Sequence, residues 1–125
     1  MKKITAIFLG LFMLSSITLA KQNPEVFKKT LAIKSALQSA LWGVDIKTKE
    51  HKSPKCERYD IEDIQTFDYK SKQYNGVWYS TWYEIWTIKA CKDTIKIKID
   101  FLQSQYDEAT CKFKVLTKNG KEVKQ

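Results

Sequence analysis

The stretch VWYSTWYEIWTIKACKDTIKIKIDF, residues 77–101, decides the fold. Aromatic and β-branched residues alternate in it with polar residues at a period of two, which is typical of strands with one buried face. Lys92 and Asp93 interrupt the alternation and predict a two-residue turn. We therefore expect two antiparallel strands, one on either side of this turn.

The residues on both sides of this stretch extend the pattern. Asn75 and Gly76 predict a turn before it, and the polar residues 104–108 predict a longer loop after it. The predicted strands are 65–74, 77–91, 94–102 and 110–117. Consecutive strands joined by short turns form a meander, so we expect a four-stranded antiparallel sheet.

Counting residues from the three turns predicts which side chains share a face of this sheet. The expected cross-strand pairs on the apolar face are Trp86 with Ile99, Ile88 with Ile97, Ala90 with Ile95, Phe67 with Glu84, Tyr69 with Trp82, and Phe101 with Cys111. All three turns therefore agree on one apolar face.

Two features of that face bear on function. Trp78, Trp82 and Trp86 could stack on sugars, but their spacing on one side of a strand favours core packing. Glu84 is a carboxylate among apolar side chains, and if it is buried it needs a partner or a raised pKa. A lysine from the helix or the hydroxyl of Tyr69 could serve as that partner.

A helix is predicted before the sheet, over residues 24–42. Asn23, Pro24 and Glu25 are typical of a helix start, and Gly43 is typical of a helix end. Apolar residues between them recur at helical spacing: Val26, Phe27, Ile33, Leu37, Ala40 and Leu41. The fold class expected is α+β, with the helix packed on the sheet.

The remaining segments carry weaker signals. Residues 43–64 are expected to form a loop, within which 56–64 could be a short strand or a helical turn. The tail, residues 118–125, is expected to fray.

The first twenty residues have the three parts of a secretory signal peptide. Lys2 and Lys3 precede an apolar run over residues 4–13, and small residues lead to Ala20. The run is shorter than the roughly 20 residues of a spanning helix. We expect cleavage after Ala20, and no cysteine follows to accept a lipid. The product should be one soluble periplasmic or secreted domain, residues 21–125, with no stable membrane anchor.

The net charge of +8 limits the partners that we expect. Almost all of the positive charge is lysine, and Arg58 is the one arginine. The chain therefore has only one guanidinium group, the planar group that binds phosphates and bases through two parallel hydrogen bonds. We expect no nucleic acid partner. An unknown protein or an anionic envelope glycan fits an exported basic surface better.

Three cysteines in an exported domain predict one disulfide and one leftover thiol. The predicted register turns Cys111 toward the apolar face and Cys91 toward the opposite face. We therefore expect a Cys56–Cys91 disulfide. Cys111 is then a possible free thiol, which we expect to be a buried core residue rather than a redox centre.

The face opposite the core is expected to carry a lysine ladder beside a small aromatic strip. Its members are Tyr79, Tyr83, Ile85, Lys89, Lys96, Lys98, Lys112 and Lys114. Such a face could dock an anionic partner, and it could also be an ordinary solvated surface that discourages edge association.

No catalytic motif accompanies these features. His51, the single histidine, stands in a lysine-rich predicted loop, and no metal-ligand spacing surrounds it. The acidic residues between Glu57 and Asp68 are dense enough for some to converge, although density on a surface is ordinary. We expect no enzyme activity, no metal and no cofactor.

One motif resembles a known group of proteins. It reads W-x-E-x-W-x-I-x-A-C and covers residues 82–91. In this run, and in the alternating strand after it, the chain resembles a loosely defined group of small uncharacterised exported proteins of Gram-negative bacteria. The resemblance implies a periplasmic or secreted location and carries over no functional residue.

Two functions from different classes follow from these observations. The first is a non-enzymatic binding module of the envelope or the secreted fraction, acting through the lysine and tyrosine face. The alternative is a small hydrolase inhibitor, which small size, export and a disulfide would suit.

Overall fold

The computed structural model describes residues 25–124. The predicted signal peptide and its cleavage point at Ala20 lie outside the described residues, as do Asn23 and Pro24 of the predicted helix start. The elements in chain order are a 3-10 helix Val26–Lys29, helix α1 Lys34–His51, and strands β1 Asp60–Tyr74, β2 Val77–Ala90, β3 Asp93–Ser104, β4 Ala109–Lys118 and β5 Lys121–Glu122. Within residues 25–124, no helix is long and apolar enough to cross a membrane.

The five strands form one antiparallel sheet in the order β1-β2-β3-β4-β5, with α1 packed on one face. We call the helix-covered face the inner face and the other the outer face. The expected α+β class is confirmed, but the sheet has five strands rather than four. The fifth exists because Asn119 and Gly120, both at positive φ, turn the chain back so that Lys121 and Glu122 pair with β4. The tail was therefore wrongly expected to fray from residue 118.

Strand β1 begins at Asp60, five residues before the predicted start. The sequence allowed either a short strand or a helical turn for residues 56–64. The structure has a strand from Asp60 onward, in which Ile61 and Ile64 are buried. The predicted loop 43–64 is therefore confirmed only over residues 52–59, because α1 occupies the beginning of this range and β1 the end.

The β1–β2 register follows the predicted turn and then departs from it. Tyr74 pairs with Val77 across the Asn75–Gly76 turn, as expected. A β-bulge interrupts the register after Phe67, and Asp68 within it has a φ of 56°. One extra residue reverses the face of the residues from Phe67 back to Asp63, where a second register shift follows, so Phe67 pairs with Tyr83 on the outer face instead of Glu84 on the inner face.

The β2–β3 turn lies one residue earlier than predicted. Ala90 pairs with Asp93, which makes Cys91 and Lys92 the turn residues, and Cys91 adopts a φ of 58°. Trp86 consequently pairs with Ile97 rather than Ile99. A shift of two residues keeps every side chain on its expected face, so the predicted core of β2 and β3 is preserved. The pairing of Phe101 with Cys111 is confirmed.

The single predicted helix is in fact two elements. The chain is extended at Thr30 and Ile33, and α1 continues past the predicted end to His51. Its buried positions recur at helical spacing and are mostly small: Ala36, Ala40, Gly43, Val44 and Thr48. Small side chains let the helix backbone approach the aromatic and branched residues of the sheet.

Gly43 lies inside α1 rather than at its end. A Cβ atom at this position would overlap the ring of Phe113 on β4. The glycine is therefore required by close packing of the helix on the sheet, which is why the interpretation as a helix stop was wrong.

The predicted disulfide is confirmed. Cys56 and Cys91 are joined, with their Cα atoms 5.8 Å apart. The bond ties the segment after α1 to the β2–β3 turn across 35 residues of sequence. Next to it, Tyr59 is buried and donates a hydrogen bond to Asp45 of α1 at 2.7 Å. Burial and this hydrogen bond raise the pKa of Tyr59.

The substitution Gly43→Ala tests the close approach of α1. Alanine is a better helix former than glycine by about 1 kcal/mol, so the substitution would stabilise the protein if there were free space around the new Cβ atom. We expect instead a loss of about 1–3 kcal/mol, because Phe113 must move or distort. Urea denaturation measures the change, and Gly43→Ala combined with Phe113→Leu should recover part of the loss. A stabilised Gly43→Ala protein would contradict the packing.

Candidate functional site

The outer face of the sheet is open and basic. By register it carries seven lysines and four carboxylates among the residues that the structure describes. They are Lys70, Lys72, Lys89, Lys96, Lys98, Lys112, Lys114, Asp60, Asp63, Asp100 and Glu122. The excess of positive charge on one face attracts anions.

An aromatic pair occupies the middle of this face. The rings of Phe67 and Tyr83 stack with their centroids 5.0 Å apart. The Lys98 ammonium lies 4.6 Å from the centroid of the Tyr83 ring and 3.7 Å from a carboxylate oxygen of Asp100. The cation–π contact orients Lys98 over the aromatic pair.

Lys98 and Lys114 lie directly opposite each other on β3 and β4. Like charges at directly opposed positions of a sheet destabilise it. Lys98 offsets part of this repulsion through its contacts with Tyr83 and Asp100.

A shallow open groove of about 370 Å³ crosses this face. Its lining includes Lys70, Thr81, Tyr83, Asp100, Leu102 and Lys112. It offers an aromatic wall, hydroxyls and charges of both signs to a surface ligand.

The predicted face residues all lie on the outer face. Register places Tyr79, Tyr83, Lys89, Lys96, Lys98, Lys112 and Lys114 there. They do not form one compact site, because Tyr79 and Lys89 stand at opposite ends of β2. Phe67 and Lys70 were missed, and only knowledge of the bulge at Asp68 could have placed Phe67 among them.

The inner face holds a buried carboxylate. Glu84 is 0% exposed. Its carboxylate accepts hydrogen bonds from the indole N–H groups of Trp82, at 2.8 Å, and Trp86, at 2.9 Å. It also accepts bonds from the Thr30 hydroxyl, at 2.8 Å, and the Leu31 backbone N–H, at 3.0 Å. The two indoles and the amide can only donate, which suits an ionised carboxylate.

The expected partners of Glu84 were wrong. Neither a helix lysine nor the Tyr69 hydroxyl contacts it; the Tyr69 hydroxyl bonds instead to Ser80 at 2.9 Å. The donors that were missed come from two tryptophans of the same strand and from a chain segment more than fifty residues away.

Residues Thr30–Ile33, which we call the strap, lie over this carboxylate. The strap has three N–H groups that no helix satisfies, and each finds a side-chain acceptor. Leu31 donates to Glu84, Ala32 to the Thr30 hydroxyl at 3.1 Å, and Ile33 to Gln103 at 3.4 Å. The buried carboxylate is thereby linked to the interruption between the 3-10 helix and α1.

Cys111 is half-buried beneath α1, with its sulfur 3.9 Å from the carbonyl oxygen of Ala36. Burial, and secondarily the negative charge of Glu84, raise the pKa of Cys111 from 9.0 to about 11. A thiol in this state is a weak nucleophile at neutral pH.

His51 was predicted to lie in a loop, but it is the last residue of α1. Among residues 25–124, no three His, Cys, Asp or Glu side chains are grouped so that they could hold a metal ion.

Trp78 is not part of the core, which corrects its prediction. Its side chain is 51% exposed, whereas Trp82 and Trp86 are buried. All three lie on the inner face of β2, but Trp78 stands nearest the hairpin end, beyond the part that the strap and α1 cover.

Comparison with protein families, with curated proteins and with solved structures finds no match for this chain. The resemblance of the 82–91 motif to exported proteins stays a prediction.

The substitution Glu84→Gln tests the carboxylate. Glutamine replaces one acceptor oxygen with an N–H₂ group, which must face an N–H of a tryptophan or the strap. We expect a loss of about 2–4 kcal/mol of unfolding free energy, measured by urea denaturation. Glu62→Gln, at an exposed position of β1, is the matched control and should change stability little. Equal effects of the two substitutions would refute the role of Glu84.

Thiol labelling tests the environment of Cys111. A pKa near 11 leaves about a hundredfold less thiolate at pH 8 than the ordinary value of 9.0 does. Cys111 of the native protein should therefore react with a thiol reagent at least about a hundredfold more slowly than Cys111 of the urea-unfolded protein, in which the disulfide is kept intact. Native labelling as fast as that of the unfolded chain would refute this assignment.

Proposed function

We propose that this protein is a non-enzymatic binding module of the bacterial envelope or the secreted fraction, and that its outer face recognises an anionic partner. The partner is an acidic protein or an anionic glycan. The observation that carries the proposal is the directly opposed like-charge pair Lys98 and Lys114 within a lysine-rich face.

This pair supports binding because two ammonium groups at directly opposed positions concentrate positive charge at one place on the face. An anionic ligand between the two ammonium groups would turn their repulsion into two attractions.

The stacked Phe67 and Tyr83 rings support the same surface. They add an apolar, shape-defined centre to the charged face, and Lys98 is oriented over it. Aromatic residues surrounded by charges are common among the side chains that dominate interface energies.

The disulfide agrees with a location outside the cytoplasm. Bonds such as Cys56–Cys91 persist in oxidising compartments and are rare in reducing ones. Together with the signal-like residues 1–20, this supports a periplasmic or secreted site of action.

Binding to dextran sulfate and to poly-glutamate, with uncharged dextran as reference, tests the proposal. We expect salt-sensitive binding to at least one polyanion and none to dextran. The double substitution Lys112→Gln with Lys114→Gln should weaken this binding by about tenfold, because it removes two exposed charges from the face. Stability should hold or rise by a few tenths of a kcal/mol, since the opposition to Lys98 is relieved.

The matched control is Lys34→Gln with Lys55→Gln, which removes two exposed lysines outside the sheet. It lowers the net charge equally and should leave most of the binding intact. Equal weakening by both double variants would show a general charge effect and would contradict a site on the outer face.

A further inference from the structure

The inner face of the sheet continues beyond the strap, where its side chains are exposed or partly exposed among residues 25–124. Register places Ser71, Gln73, Trp78, Ser80 and Gln103 on this part of the face, and the ring contact of Tyr69 with Trp82 places Tyr69 there too. We call them the hydroxyl platform. Tyr69, Ser71, Gln73 and Trp78 are exposed, and Ser80 and Gln103 are partly exposed.

The platform carries no charged side chain, although charged residues make up 29% of the chain. The same strands place Lys70 and Lys72 on the outer face, alternating with Tyr69, Ser71 and Gln73 on the inner face. The charges are thus sorted by face, and the platform is a neutral surface on a basic protein.

Three hydroxyl groups form a connected cluster at its centre. Ser71 and Ser80 are directly opposed, with their oxygens 2.9 Å apart. The Tyr69 oxygen lies 2.9 Å from that of Ser80 and 3.4 Å from that of Ser71. Each hydroxyl has one donor and two acceptor positions, so a cluster of three leaves acceptors open to solvent. The amides of Gln73 and Gln103 border the cluster with further donors and acceptors.

Two aromatic rings accompany the hydroxyls. Trp78 is 51% exposed and Tyr69 is 55% exposed, and Trp78 stands two residues from Ser80 on the same face. The Tyr69 ring is backed by the buried Trp82, with centroids 5.9 Å apart. An exposed indole on an extended strand adds little to the core and offers a flat apolar surface to a ligand.

We infer that the hydroxyl platform binds an uncharged oligosaccharide. A pyranose ring presents a face of C–H groups that packs on an aromatic ring, and its equatorial hydroxyls bond to neighbouring hydroxyls and amides. Aromatic surface combined with a few placed polar groups is the usual composition of small-ligand sites. The lack of charge disfavours an ionic ligand, and an apolar peptide would cover the open acceptor positions of the hydroxyl cluster without bonding to them. This site is separate from the outer face.

Calorimetric titration with chitotetraose, maltotetraose and cellotetraose at millimolar concentration tests the inference. At least one should bind, with an affinity that is nearly independent of NaCl concentration. Trp78→Ala should weaken that binding by roughly tenfold. Tyr69→Phe keeps the ring and removes its hydroxyl, and should weaken binding several-fold without loss of the fold.

Trp42→Ala is the matched control, because Trp42 is 66% exposed on α1, away from the sheet. It should leave the affinity unchanged, as should Lys112→Gln with Lys114→Gln on the outer face. No saturable binding of any of the three sugars would overturn the inference. So would binding that Trp78→Ala and Tyr69→Phe leave intact, or that Trp42→Ala weakens equally. A failure of this site leaves salt-sensitive polyanion binding unaffected, so the two proposals fail separately.

Discussion

A carboxylate lies in the apolar interior of this protein, and the arrangement of the described residues around it follows from that burial. An ionised carboxylate leaves water only where donors replace its hydration, since an unpaired buried charge costs many kcal/mol. Glu84 obtains those donors from Trp82, Trp86, Thr30 and Leu31. The indoles belong to β2 itself, whereas the other two donors require the strap to lie across the sheet. Holding the strap extended also decides where α1 can begin.

The position of α1 then divides the sheet into chemically different surfaces. The helix lies close to the sheet through small residues such as Ala36, Ala40 and Gly43. It covers the inner face as far as the strap and leaves the platform around Ser80 open. No helix among residues 25–124 packs on the outer face, and the alternation of the strands places many lysines there. One small sheet therefore carries a basic outer face and a neutral open part of its inner face.

Strand alternation was sufficient to predict the α+β class, the core face of β2, β3 and β4, and the disulfide. The β2–β3 turn was misplaced by one residue, which shifted the cross-strand pairing by two residues. A shift of two leaves every side chain on its predicted face. Local patterns failed where tertiary contacts decided. The bulge at Asp68 moved Phe67 to the outer face, and Gly43 resembled a helix stop although packing against Phe113 requires it. The hydrogen-bond donors in the strap could not be predicted from the sequence, because the strap lies far from Glu84 along the chain and one of its donors is a backbone N–H.

The most direct test of this account is hydrogen exchange of the four tryptophan indole N–H groups, followed by NMR. If Glu84 accepts from Trp82 and Trp86 in the core, those two N–H groups exchange slowly, while those of the exposed Trp42 and Trp78 exchange at once. Rapid exchange of all four, or slow exchange that is unchanged in Glu84→Ala, would contradict the central role of the buried carboxylate.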